Sequence, residues 1–234
     1  MESKIAWMRR ILVTGATIDL SDYSFDDFIE FLFRHPVVPI PSPGNDEPEP
    51  WYWHIEVELD PAAVASFYIR LFSEPGPALN GYSADELEQG FWAIMSSNLD
   101  CGVTAIIWHE AVPLDIRESV VRSMFTLYKD FFASHHLETA DNMWWDSLAY
   151  DWHCDLRARS KGGEDLSMQD VMFEVLTKIL ELPSDHTRFA ALHGLGHLHH
   201  PETAQHVEAW LARNAPLDED LVEYAQAAAR FEVM

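Results

Sequence analysis

From Asp60 onward the apolar residues of this chain recur at three- and four-residue spacing, interrupted only by short turns, and that pattern restricts the fold to packed helices. Asp60-Pro61 is an N-cap followed by proline at the first helical position. Val64, Phe67, Tyr68 and Leu71 follow on one face. After a break at 75–81, Ser83 with Glu86 forms a capping box, and Leu87, Phe91, Ile94 and Met95 make the next buried stripe. Further helices are predicted over 103–109 and over 114–135, the latter with Ile116, Val120, Met124, Leu127 and Phe131 inward. Residues 142–154, with Trp144, Trp145, Tyr150 and Trp152, are too aromatic on all sides for a surface helix. A charged run at 157–165 reads as a loop, and Ser167 with Asp170 caps a helix that ends at Pro183. Three more helices, 185–199, 201–213 and 218–231, follow with short turns, which makes consecutive helices antiparallel neighbours.

The first 60 residues differ. Ser24 with Asp26 and Asp27 starts a helix over 25–35 that stops against Pro36. Residues 36–50 hold six prolines, so they form an extended loop. Residues 51–59 then alternate, with Trp51, Trp53, Ile55, Val57 and Leu59 on one side, as in a half-buried strand whose partner the sequence does not identify. The expected architecture is therefore mostly α: antiparallel helical hairpins over 61–234, with an N-terminal cap, 1–60, of helix, Pro-rich loop and short strand packed on the rest.

Charge narrows the partners. The formal net charge is −24. Acids outnumber bases in both halves of the chain, so the charge is a coat and not a tail. Nucleic-acid backbones and anionic lipid heads are recognised by Lys and Arg, which excludes both as ordinary ligands and leaves a basic protein surface as the natural converse. No stretch approaches the roughly 20 apolar residues of a membrane span. Two cysteines, Cys101 and Cys154, are too few for a disulfide framework, and the apolar run 11–13 is too short for a signal peptide, so the expected compartment is the cytoplasm.

Three segments invite chemistry. Residues 11–17 resemble the first strand and turn of a short-chain dehydrogenase, but Ile18 and Ser21 stand where that fingerprint needs glycine, and no strand and helix alternation follows. The second is histidine: six lie between 186 and 206. His193 and His197, at i and i+4, project from one helical face and can ligate one ion such as zinc, with a third ligand from Asp185, His186, His200 or His206. Gly194, Leu195 and Gly196 separate them, so the glutamate base of a zinc peptidase is missing. The same pair also reads as packed side chains of an inner helix, with His199 and His200 at its exposed end, where the helix dipole favours imidazolium. The third is Trp144-Trp145-Asp146: an Asp beside buried indoles is either a carboxyl of raised pKa or a tie from a helix end to a Trp donor.

The run Phe189-Ala190-Ala191-Leu192-His193-Gly194-Leu195-Gly196-His197-Leu198-His199-His200-Pro201, read through to residue 231, resembles a HEAT-type repeat, with small residues where a neighbouring helix comes close. Together with Phe28 to Pro36, Trp51-Tyr52-Trp53, Tyr82 to Trp92 and Met143 to Asp146, it resembles a family of bacterial proteins of uncharacterised function. The HEAT resemblance implies a short α-solenoid whose inner face binds another macromolecule. The expected function is then non-catalytic docking on a protein with a basic surface, of which an immunity-type inhibitor of a basic toxin is one concrete form. The rivals are a metal-dependent hydrolase built on the histidines of 193–206 and a plain structural subunit.

Overall fold

Local chemistry at the caps determines where the helices begin. The computed structural model describes residues 17–38, 49–53 and 55–233. Ser24 and Ser83 each accept the backbone N–H three residues on, from Asp27 and Glu86, whose carboxylates accept the serine N–H in return. These capping boxes open α1 (Phe25–Phe33) and, further on, α4 (Ala84–Met95). Asp60 accepts from Ala62 N to cap α2 (Pro61–Ser73). The break at 75–81 contains a single short helix, α3 (Pro75–Leu79). Beyond α4 come α5 (Val103–Ile107), α6 (Leu114–Leu127), α7 (Trp144–His153), α8 (Gly163–Leu180), α9 (Asp185–Leu198), α10 (Thr203–Asn214) and α11 (Glu219–Ala229). The described chain is mostly helical, about 65%, with one small sheet. No helix among the described residues is long and apolar enough to cross a membrane.

Four expectations change. Residues 51–59 are not one strand: Trp51–Trp53 form a 3-10 turn and only Glu56–Glu58 extend, as β2. Trp51 and Tyr52 are both buried while Trp53 is half exposed, because the turn rotates successive side chains by about 120° where a strand rotates them by 180°. The missing partner is β1, Thr17–Asp19, which pairs in parallel with β2 in the register Thr17 to Glu56, Ile18 to Val57 and Asp19 to Glu58. The helix expected from Ser167 begins four residues earlier, at Gly163. Its first-turn acids, assigned by sequence to a loop, are anchored: Glu164 by Arg117, and Asp165 by Arg157 and Ala158 N. Finally, α7 does present one exposed face, since Tyr150 is open to solvent while Trp144, Trp145 and Trp152 are buried. The dehydrogenase-like turn at 11–16 and residues 39–48 of the proline loop lie outside the described residues. At the loop's edges, the Gln89 amide accepts from Val38 N and donates to Pro36 O.

Helix α9 is the innermost element, with every residue from 190 to 198 buried. It lies against α7, α8 and α11. Gly194 makes this possible: a Cβ there would sit 2.7 Å from both Trp145 Cβ and Leu176 Cδ2. At Gly196 the obstacle is Val233, near the chain terminus, with Cγ2 at 2.3 Å. Replacing Gly194 by Ala is expected to destabilise the fold by about 1–2 kcal/mol, because overpacking against a Trp Cβ outweighs the gain in helix propensity. Gly196→Ala is expected to cost less, since the nearest obstacles are the two Val233 methyl groups, which can turn aside, whereas the Trp145 Cβ is fixed to its backbone. Urea denaturation of the two variants checks the order.

Candidate functional site

Close approach at Gly194 brings the backbone of α7 to the face of α9 that carries His193 and His197. One turn of each helix then converges on a single atom. Asp146 Oδ1 lies 2.8 Å from His193 Nε2 and 3.0 Å from His197 Nε2. The two imidazoles, four residues apart, are both buried, and the carboxylate is about one-third exposed. The far side of each ring is also engaged. The Tyr224 hydroxyl of α11 is 2.6 Å from His193 Nδ1, and His153 Nδ1, at the end of α7, is 3.5 Å from His197 Nδ1. An ionised carboxylate only accepts, so both Nε2 atoms carry hydrogen in this arrangement. Burial alone would raise the Asp146 pKa, but hydrogen bonds and charge from His193 and His197 outweigh it and hold the carboxyl well below the usual carboxylate range. Burial, with Asp146 nearby, raises the Tyr224 phenol.

Two cavities adjoin the site. Asp146 lines a cavity of about 390 Å³ with Tyr52, Trp53, Trp92 and Met143. His193 and Tyr224 line another, of about 340 Å³, with His186 and Phe189.

Sequence reasoning singled out all three central residues but did not join them. Asp146 is neither a carboxyl of raised pKa nor a tie to an indole: the Trp144 indole N–H points to Met124 Sδ at 3.3 Å. None of Asp185, His186, His200 or His206 supplies the third group. His186 belongs to a second cluster, with His136 and Asp141, in which its Nε2 contacts Asp141 Oδ2. His200 is not at an exposed helix end: it is buried, stacked on Phe173 with centroids 3.9 Å apart and bonded to Asp170 at 3.0 Å. Desolvation lowers the pKa of both His199 and His200, so the imidazolium that a helix dipole would favour is instead disfavoured. The chain reverses at His199, which takes a left-handed conformation, φ 52°, and this folds His200 back onto α8.

The surface forms the second candidate. All twelve Lys and Arg of the described residues are occupied within the molecule: ten pair with carboxylates, Arg70 lies over the Phe25 ring, and Lys161 donates to Leu156 O. The outward electrostatic excess is therefore carboxylate. On the small sheet, Ile18 and Val57 point inward and Asp19, Glu56 and Glu58 point out, with Asp19 opposite Glu58 in register. Like charges facing each other across a ladder oppose its pairing. Cys101 is buried, Cys154 is exposed, and neither forms a disulfide.

No family model, curated protein or solved structure matches this chain.

Proposed function

We propose that the protein acts by docking a protein partner with a basic surface, and that the outer face of the β1–β2 sheet is part of the contact. The observation that supports this most directly is the in-register pair Asp19 and Glu58, beside Glu56, on an exposed face where neither strand contributes a base. A fold selected for stability alone gains by neutralising such a pair, whereas a docking face for Lys and Arg uses it. The internal occupation of every described base points the same way. Packing of α2 on α6, α6 on α8, α8 on α9 and α9 on α11 is the kind of succession a short HEAT-like stack requires, and it supports reading the helices as a solenoid that presents such a surface.

The test is capture from a lysate of the source cell by the wild-type chain and by the double variant Asp19→Lys/Glu58→Lys. The expected result is a partner of net positive charge, retained at low salt, released as salt shortens the reach of the field, and lost with the double variant. Absence of any partner at low salt, or capture that the double variant leaves unchanged, overturns the reading. Competition by duplex DNA for the captured partner would show whether the carboxylates occupy a nucleic-acid site. The single variant Glu58→Gln is expected to raise the unfolding temperature, more at low salt than at high salt, because it removes the repulsion from Asp19.

A further inference from the structure

The geometry points to a divalent transition-metal site formed by Asp146, His193 and His197, with zinc the ion its two nitrogens and one oxygen suit best. It is independent of the docking face. The potential ligand atoms of the three side chains all lie within 4.8 Å of one another, and both Nε2 atoms already address the same carboxylate oxygen. Two imidazoles and a carboxylate are a common first-row set, and three protein ligands leave a coordination position open for water or another group. The site is reached from open space, since Asp146 lines one cavity and His193 another.

Second-sphere chemistry carries the inference beyond mere proximity. A metal displaces the hydrogen from Nε2, so each ring must become the tautomer with hydrogen on Nδ1, and that hydrogen needs an acceptor in a buried place. Both acceptors are present. The Tyr224 oxygen is 2.6 Å from His193 Nδ1, and His153 Nδ1 is 3.5 Å from His197 Nδ1. A hydroxyl can reverse its role from donor to acceptor by rotating, and the second imidazole by changing tautomer, so no buried group is left unpaired in either state. The balance of charge favours the ion too: two neutral rings and one carboxylate bring a single negative charge, which a divalent cation overcompensates by one. The packing that sets the site is rigid, because Gly194 lies between the two histidine positions and holds α9 against Trp145, the neighbour of Asp146.

The second cluster, His136, Asp141 and His186, also has ligand atoms within 4.8 Å of one another, and any test must separate the two. Zinc chloride is titrated into the full chain, after removal of metal by chelator, and followed by calorimetry, with cobalt chloride and its visible absorption as a check on the coordination geometry. One equivalent is expected to bind. Asp146→Asn and His197→Gln should each abolish saturable binding at this site, and Tyr224→Phe, which keeps the ring and removes the acceptor, should weaken it by about tenfold. Circular dichroism establishes that each variant is folded; if Asp146→Asn is not, His197→Gln and Tyr224→Phe carry the test. His186→Ala and the double variant Asp19→Lys/Glu58→Lys should bind zinc as the wild type does, so failure of the docking reading leaves this result untouched. Absence of binding by the wild type, an unchanged affinity in Tyr224→Phe, or loss of the ion in His186→Ala and not in His197→Gln overturns the assignment.

Discussion

Replacing Trp144 by Ala is expected to lower the unfolding free energy by about 3–5 kcal/mol, enough to shift the midpoint of thermal unfolding by about 10 °C in a chain of this size. Trp144 is completely buried. Its ring stands edge-on to Phe72 with centroids 5.5 Å apart, to Phe91 at 5.9 Å and to Phe132 at 6.3 Å. These partners come from α2, α4 and the π-helical turn after α6, so removing the indole opens a void that four separate elements border. Surrounding helices held by caps and by their own stripes cannot collapse into it fully, and the residual cavity adds to the lost transfer free energy. Trp53→Ala, at a half-exposed position in a short turn, is expected to cost less than about 1 kcal/mol. Urea denaturation of both variants beside the wild type checks the contrast. Equal losses would show that Trp144 is not the packing centre of this region.

Acidification is expected to destabilise the protein in two stages. Burial pushes the His35 imidazole down to about 4, against a hydrogen bond to Phe31 O that acts the other way. The ring is buried and stacked on Trp51 with centroids 3.7 Å apart, so its neutral form is the one the fold accommodates. An unfolded chain takes up that proton near pH 6.5, while the folded chain resists until about 4. Stability is therefore full above 6.5 and falls through the interval to about 4, by about 3 kcal/mol for His35. His199, His200 and His206, all lowered chiefly by desolvation, add to the loss in the same direction. The second stage belongs to Asp146. Its depressed pKa contributes stability that is complete above the usual aspartate value and is lost as pH falls toward the folded one. Chemical denaturation at a series of pH values from about 7.5 to about 2 gives the first stage in full and the onset of the second. In His35→Phe, which retains stacking on Trp51 and cannot ionise, the slope between 6.5 and 4 should be clearly reduced. An unchanged slope would assign the loss to other groups.

Most of the helical layout was legible because capping and periodicity are local. Ser24, Asp60 and Ser83 each cap the helix their sequence announces, and the stripes of α2, α4, α6 and α8 face the core as their spacing requires. The glycines of α9 were legible for a related reason: a residue that costs about 1 kcal/mol in a helix is retained where a neighbour leaves no room for a Cβ, and Trp145 and Val233 occupy that room. Local rules failed where a distant element competes. Alternation over 51–59 suggested one strand, yet Trp51 at its start turns inward on Phe31 of α1 and only three residues pair with β1. The acids of 164–165 looked like loop residues because their arginine partners, Arg117 and Arg157, lie outside the window that periodicity samples.

The candidate site divides in the same way. Sequence alone determined that His193 and His197 share a helical face, that Asp146 sits beside buried indoles, and that the surface is acidic, since these follow from helix geometry, composition and formal charge. Only the tertiary structure decided that Asp146, 47 residues before His193, is the group both imidazoles meet, and that Tyr224 and His153 stand behind them. It also decided that the acids of β1 and β2 face each other, as the register of a parallel pair depends on where two separate segments are packed. Spacing along a chain specifies direction within one helix. Which helices touch, and at which turn, is determined by packing, here by the absence of a side chain at Gly194.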